Sequence, residues 1–284
     1  MYTTQKNPNL IYDVGMHTGE DTEFYLKKGF QVVAFEANPE LIQNAKEKFA
    51  EEIKNKQLII VEGAIVDISQ YKNKTVKFFR NKDSSVWGTV MENWAERNEK
   101  LGTENEIIEV PVVDFVECLQ EYEIPHYLKI DIEGCDMVCL ESLLPFENKP
   151  DYVSIESDIV SFKGLENEFN IFKQLGYNSF KAINQLDVKN QKEPKTFFEG
   201  KYLHWNFPFG SSGLFGLDLP GDWKTEEQIL KQYKKIFIRY DYFGNNSKLK
   251  KYWITNKILK VIGKFFPKIP YSWYDTHARH DSVK

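Results

Sequence analysis

The chain reads as an α/β protein, a mostly parallel sheet with helices on both faces and a C-terminal extension. Short apolar runs alternate with segments of helical period over the first two thirds of the sequence. Strands spaced by helices pair in parallel through helical crossovers. The apolar runs also end in Asp13 and Gly15, Glu36, Asp131 and Glu156, and the carboxyl ends of strands are where such a sheet places ligands.

Leu10 to Val14 is the first strand and Glu20 to Lys28 the first helix. Gln31 to Glu36 is a strand, and Pro39 to Ala50 is a helix with proline in its first turn, where no amide is needed. Gln57 to Glu62 is the next strand. Thr75 to Arg80 and Ile107 to Val112 are additional strands, separated by the polar loop NKDSSVWGTVMENW with some helix. Asp114 caps a helix to about Tyr122. YLKIDI, Tyr127 to Ile132, is a strong strand, Cys135 to Leu144 a helix, and Asp151 to Ile155 another strand.

From about Leu186 the alternation weakens. QKEPKTFFEGKYLHWNFPFGSSGLFG is rich in aromatics, Gly and Pro, which predicts an irregular insertion (about 187–213) ending in a short strand near Leu214 to Leu217. A helix over Thr225 to Asp241 and a tail follow. The predicted organisation is one domain over 1–220 and a helical, basic extension over 221–284.

With 284 residues, 42% of them apolar, the chain can bury a sizeable core. The formal charge of −5 argues against a nucleic-acid binder that works through overall basicity, and leaves room for a local basic patch. Cys118, Cys135 and Cys139 form no C-x-x-C pair, so neither a disulfide framework nor a zinc finger is indicated, and a reducing cytoplasm is expected. MYTTQKNPNLIYDVG lacks a basic region leading into an apolar core, and no run approaches the roughly 18 apolar residues of a membrane span. The protein is therefore expected to be neither secreted nor transmembrane.

The first strand runs into a turn bracketed by Gly15 and Gly19, with Met16, His17 and Thr18 between. Amides of a glycine turn at a helix start accept an anionic group, and the missing side chains let a ligand approach the main chain. Glu36 lies about 20 residues beyond the loop, where an acid accepts both hydroxyls of a ribose. The pair favours a cofactor with an adenosine end over a plain turn. In VEGAIVD, Ala64 and Ile65 are placed to lie against a purine, with Asp67 or an amide at its edge; a turn into the next helix fits that segment equally well.

LKIDIEGCD carries Lys129, Asp131, Glu133 and Asp136 where the sheet should be buried, so these charges need partners or a task. Lys129 with Asp131 or Glu133 is one such pair. IESD adds Glu156 and Asp158 to the same mouth. A divalent cation or a general base both suit that group.

Taken in order, YDVGMHTGEDTEFYLKKGFQVVAFEANPE, VEGAIVD and VPVVDFVECLQEYEIPHYLKIDIEGCDMVCLESLL resemble the FkbM family of S-adenosylmethionine-dependent methyltransferases. The likeness covers roughly Leu10 to Ser157, and K-I-D-I-E-G with the upstream V-D-x-V is its most specific part. It implies a class I methyltransferase fold, Rossmann-like and seven-stranded, with an antiparallel last strand. On the same ground Asp13, Gly15, His17, Thr18 and Gly19 face the amino-acid end of S-adenosylmethionine, Glu36 and Ala37 the ribose, and Ala64 and Ile65 the adenine, with Asp131 alongside. No pyrophosphate has to be cradled, which accounts for the absent G-x-G-x-x-G. Met16 and His17 depart from the small residue and Asn that the family commonly has, so His17 either hydrogen-bonds the cofactor or faces solvent.

Methyl transfer to an alcohol needs alignment and removal of a proton. Asp131 is the first candidate base and His204, in YLHWNFPFG, the second. Ser84, Ser85, Glu133, Glu156 and Trp205 are candidates for holding the acceptor, expected to be a sugar or glycan hydroxyl, with a nitrogen or phosphate-linked group, or a non-catalytic scaffold, as alternatives. The aromatic insertion fits a lid or dimer contact as well as it fits substrate binding. His204, His277 and His280 are too scattered for a metal site. Between Ser247 and Trp273 there are seven lysines and no acid, suited to the inner membrane surface or to a plain surface helix. Tyr274, Asp275 and His277 are expected to pack back near the acceptor.

Overall fold

The computed structural model describes residues 1–70, 73–132, 134–157, 161–243 and 273–283. The first half contains β1 (Lys6–Val14), α1 (Glu20–Lys27), β2 (Gln31–Glu36), α2 (Pro39–Lys48), α3 (Ala50–Lys54), β3 (Leu58–Glu62), β4 (Ala64–Ile65), β5 (Thr75–Asn81), α4 (Glu92–Lys100), β6 (Asn105–Val113) and α5 (Phe115–Glu121). Then follow β7 (Ile124–Ile130), α6 (Asp136–Ser142), β8 (Tyr152–Glu156), α7 (Phe162–Gln174), β9 (Tyr177–Asn184), α8 (Gln185–Val188), α9 (Glu226–Phe243) and β10 (Tyr274–His280).

Seven strands form one sheet in the order β3-β2-β1-β7-β8-β10-β9. The strands from β3 to β8 pair in parallel, and β10 runs antiparallel between β8 and β9. This is the class I methyltransferase arrangement that the family resemblance implies. The strand order reverses between β1 and β7, which opens a crevice at their carboxyl ends. β4, β6 and β5 form a small second sheet beside that crevice.

Local chemistry sets the element ends. Asn38 accepts the Glu40 amide ahead of Pro39, and Asp114 accepts the amides of Val116 and Glu117. Along β1, Leu10, Tyr12 and Val14 enter one core cluster and Ile11 the other, the period-two alternation of a strand covered on both faces. Phe115, Leu140, Phe169 and Tyr233 cover the first face.

The second face is covered by α1, α2 and the aromatic insertion, whose Phe207, Leu214 and Phe215 are buried. Phe215 stacks on Tyr127 with ring centroids 4.5 Å apart. The insertion is thus mainly a cover for the sheet. It is held by Lys28, which pairs with Glu193 and Asp218, and by His126, which lies 2.8 Å from both Asp151 and Glu199.

Three differences from the expected elements have physical causes. Leu214 to Leu217 is not a strand: Glu199 accepts the Leu217 amide and the chain bends through Gly216 (φ 59°) into a 3-10 turn at Gly216–Asp218. The segment after 221 is not all helical, because β10 is hydrogen-bonded on both sides inside the main sheet. YDTHARH has no apolar run to mark it, yet Asp275, Thr276 and His277 are buried. The third difference is that β7 ends at Ile130, leaving Asp131 and Ile132 in the mouth. The basic stretch from Ser247 lies outside the described residues until Trp273. Among the described residues no helix is long and apolar enough to cross a membrane.

Candidate active site

After β1 the chain turns through Gly15, at φ 85°. A Cβ there would lie 1.9 Å from the Asp131 carbonyl oxygen, and one on Gly19 would lie 2.5 Å from the Phe49 ring. Both glycines are therefore required by the protein's own packing. Gly15 still forms part of a cleft of about 740 Å³ at the strand ends.

Glu36, at the end of β2, accepts the His17 amide on one carboxylate oxygen and the Ala37 and Asn38 amides on the other. Burial raises its pKa above the usual carboxylate value, and these donors oppose that shift. With two amides on one oxygen and one on the other, the oxygen that meets His17 keeps an acceptor site, and the side chain forms part of the cleft wall.

His17 has φ 55°, and its ring joins Glu20 at 3.0 Å to the Ser85 hydroxyl at 2.7 Å. The bond to Glu20 raises its pKa. Burial works against ionised Glu20, but hydrogen bonds from His17 and Thr18 bring that carboxyl down to about 2. His17 thus ties the β1 turn to the loop after β5 across the rim of the cleft.

Phe35, Ala64, Ile65, Phe78, Val86 and Ile132 give the cleft apolar walls, with Glu36 and Asp131 as its acids. Phe78 and Val86 had no distinctive signal in the sequence. They arrive because β5 pairs with β6 and turns back through the Phe79–Thr89 bridge.

Beneath the cleft lies a buried charge network. β1 and β7 pair in a register that sets Asp13 beside Lys129. Lys129 Nζ lies 3.2 Å from Asp13 and 3.8 Å from Asp131, and donates to the Gly15 carbonyl at 2.8 Å. Burial alone would lower the Lys129 pKa, but Asp13, Asp131 and Asp21 hold it above its ordinary value. Thr22 donates to Asp13 at 2.6 Å. Asp21 accepts the Ser212 amide on both oxygens, at 3.0 and 2.9 Å, and burial lifts its carboxyl to about 7.

A second cleft, of about 530 Å³, opens on the other side of Asp131. Its wall includes Glu156 at the end of β8, Gln185 after β9, Asp275 at the start of β10, and Phe209, Ser211 and Trp273. Asp131 is common to both clefts, and its side chain is 45% exposed.

The structure brings Gly15, His17, Glu36, Ala37, Ala64, Ile65, Ser85 and Asp131 to the first cleft and Glu156 to the second. Ser85, expected on the acceptor side, stands at the first. Asp13 is fully buried below, Thr18 is exposed, and Gly19 caps α1 against Phe49. Ser84 gives its amide to Asn81, and Asp67 is bonded to Ser69 and Gln70. His204 is exposed and forms part of neither cleft, which removes it as second base. Trp205 packs on Phe24 and under the Lys27 ammonium, away from the acceptor side. Glu133 and Asp158 lie outside the described residues. Among the described residues no group of three or more His, Cys, Asp or Glu could hold a metal ion.

A family model described as the methyltransferase FkbM domain matches residues 13–186. Among solved structures the chain is similar to precorrin-6y C5,15-methyltransferase from Geobacter metallireducens, at 10% identity and TM-score 0.36, covering 71% of this chain and 77% of that one. It is similar to an O-methyltransferase from Bacillus cereus in complex with SAH, at 12% identity and TM-score 0.36, covering 62% and 67%. It is also similar to phosphoethanolamine N-methyltransferase 2 from Haemonchus contortus in complex with S-adenosyl-L-methionine, at 12% identity and TM-score 0.36, covering 97% of this chain and 49% of that one. No curated protein matches the chain at a significant level.

Proposed function

The chain belongs to the FkbM methyltransferase family, and from that premise we propose that it is an S-adenosylmethionine-dependent O-methyltransferase acting on a hydroxyl of a sugar or glycan-related acceptor. The observation that carries this reading is the position of Asp131, one carboxylate between two clefts.

The first cleft fits the methyl donor. Its apolar walls suit an adenine, Glu36 keeps an acceptor site for a ribose hydroxyl, and Gly15 and Asp131 border the end where the amino-acid part would lie. When bound, S-adenosylmethionine supplies an electrophilic methyl group on a sulfonium sulfur. Glu36 orients, its carboxylate fixed by three amides. His17 and Ser85 narrow the rim and limit water. Lys129, itself pinned by Asp13 and Gly15, sets the position of Asp131 from behind.

Asp131 is placed to hold the acceptor hydroxyl and would take its proton as that oxygen receives the methyl group. Three free cysteines, all buried, support work in a reducing cytoplasm. The basic stretch from Ser247 supports peripheral attachment to the inner membrane surface during assembly of a surface polysaccharide, and the net charge of −5 supports an acceptor other than nucleic acid.

The test is a transfer assay with methyl-labelled cofactor against nucleotide sugars and surface polysaccharide, with and without a chelator. Label in a sugar hydroxyl is the expected result, and the chelator arm reports metal dependence. Label only in amines or phosphate-linked groups overturns the acceptor class.

A further inference from the structure

The second cleft has chemistry specific enough to name its occupant. Antiparallel pairing sets Asp275 opposite Glu156, so these two acids and Asp131 come from three strand ends to one wall. On the same wall the Gln185 side-chain nitrogen and the Ser211 hydroxyl are buried without a hydrogen-bond partner, and Ser211 is only 3% exposed. Hydrogen bonds left unmade by buried polar groups cost stability, which an occupant of the cleft would recover.

The Gln185 nitrogen donates and ionised carboxylates accept. An ammonium ion donates only and leaves Gln185 unmet. An anion accepts only and meets acids. A hydroxyl does both, and several hydroxyls on a rigid frame match groups contributed by several strand ends. Burial, reinforced by Asp131 and Asp21, raises the Asp275 pKa well above its usual range, which favours the neutral acid and gives it a donor as well.

The mouth adds the second observation. Phe209 is 77% exposed and meets Trp273 edge to face, with centroids 6.0 Å apart. Most aromatic side chains of the insertion pack on the sheet or on each other, whereas these two form an apolar corner over a polar floor. That pairing suits the apolar C–H face of a sugar ring whose hydroxyls point inward.

On the reading that the first cleft holds the methyl donor, we propose that the second cleft is a hexopyranose subsite: Phe209 and Trp273 carry one face of the ring, Gln185, Ser211 and Asp275 bind its hydroxyls, and Asp131 stands nearest the hydroxyl that is methylated.

The test is saturation-transfer difference NMR on the full chain loaded with S-adenosylhomocysteine. The probes are the methyl glycosides of glucose, mannose, galactose and N-acetylglucosamine, with choline as the cationic control. Ring-proton signals from at least one glycoside are expected, at least about fivefold weaker in Phe209→Ala, whose exposed side chain is not needed for folding, and in Gln185→Leu. S-adenosylhomocysteine affinity, measured in parallel, should change less than about twofold in either variant. No glycoside signal from a chain that binds S-adenosylhomocysteine, equal signals in both variants, or a signal from choline alone overturns the subsite while leaving the methyltransferase reading intact. Failure of the wild-type chain to bind S-adenosylhomocysteine overturns both.

Discussion

Lys129 and Asp13 face each other across the β1–β7 pairing at 3.2 Å, both buried, directly under the crevice where the strand order reverses. Apolar residues flank both in sequence, so the pair occupies core positions that a larger apolar side chain would otherwise fill. Removing one member leaves the other charge buried and uncompensated.

Lys129→Met should therefore destabilise the protein by about 3–5 kcal/mol in urea denaturation, with Asp13 left uncompensated. Lys129→Met combined with Asp13→Leu should recover much of that loss. A single variant of wild-type stability would show that the pair bears no such load.

Gly15→Ala should destabilise the ligand-free protein, because the added Cβ meets the Asp131 carbonyl oxygen and the backbone sits at φ 85°. Overpacking and left-handed strain together predict a loss of about 2–6 kcal/mol. Normal stability with loss of cofactor binding alone would show that the glycine only clears space for a ligand.

His126 lies between Asp151 and Glu199, and although burial opposes the charged ring, their hydrogen bonds raise its pKa to about 9. A raised folded pKa stabilises fully below the unfolded value near 6.5 and is lost as pH rises through about 9. Unfolding free energy should fall by roughly 3 kcal/mol across that window, and His126→Phe should flatten the profile. An unchanged slope in the variant would detach the insertion's anchor from this histidine.

Much of the site was legible because it stands at strand ends. Glu36 and Asp131 follow strong apolar runs, and the spacing of Glu36 from the glycine turn carried the cofactor reading. The packing demand on the glycines was hidden, since sequence reports a missing side chain but not what fills its place. β10 was invisible to periodicity: YDTHARH buries polar residues, with Thr276 bonded to Tyr233 at 2.6 Å and to Ser157. The second cleft depends on that strand, so Gln185, Ser211 and Trp273 could not be grouped before the sheet was known. His17, ambiguous in sequence, is explained by Ser85, 68 residues away.

Asp131→Asn keeps the shape of both clefts and removes the proposed base. Turnover should drop by about 10²–10⁴-fold while S-adenosylhomocysteine affinity changes little. Full turnover in this variant removes Asp131 from proton transfer.

The proposed mechanism depends first on Glu36 and the first cleft holding the methyl donor. Isothermal titration of the full chain with S-adenosylhomocysteine tests it most directly. Saturable one-to-one binding in the micromolar range is expected, weakened at least about tenfold in Glu36→Ala, the ~1.4 kcal/mol or more expected when a charge-assisted hydrogen bond to the ribose is lost. No saturable binding by the wild-type chain, or equal binding by the folded variant, contradicts it.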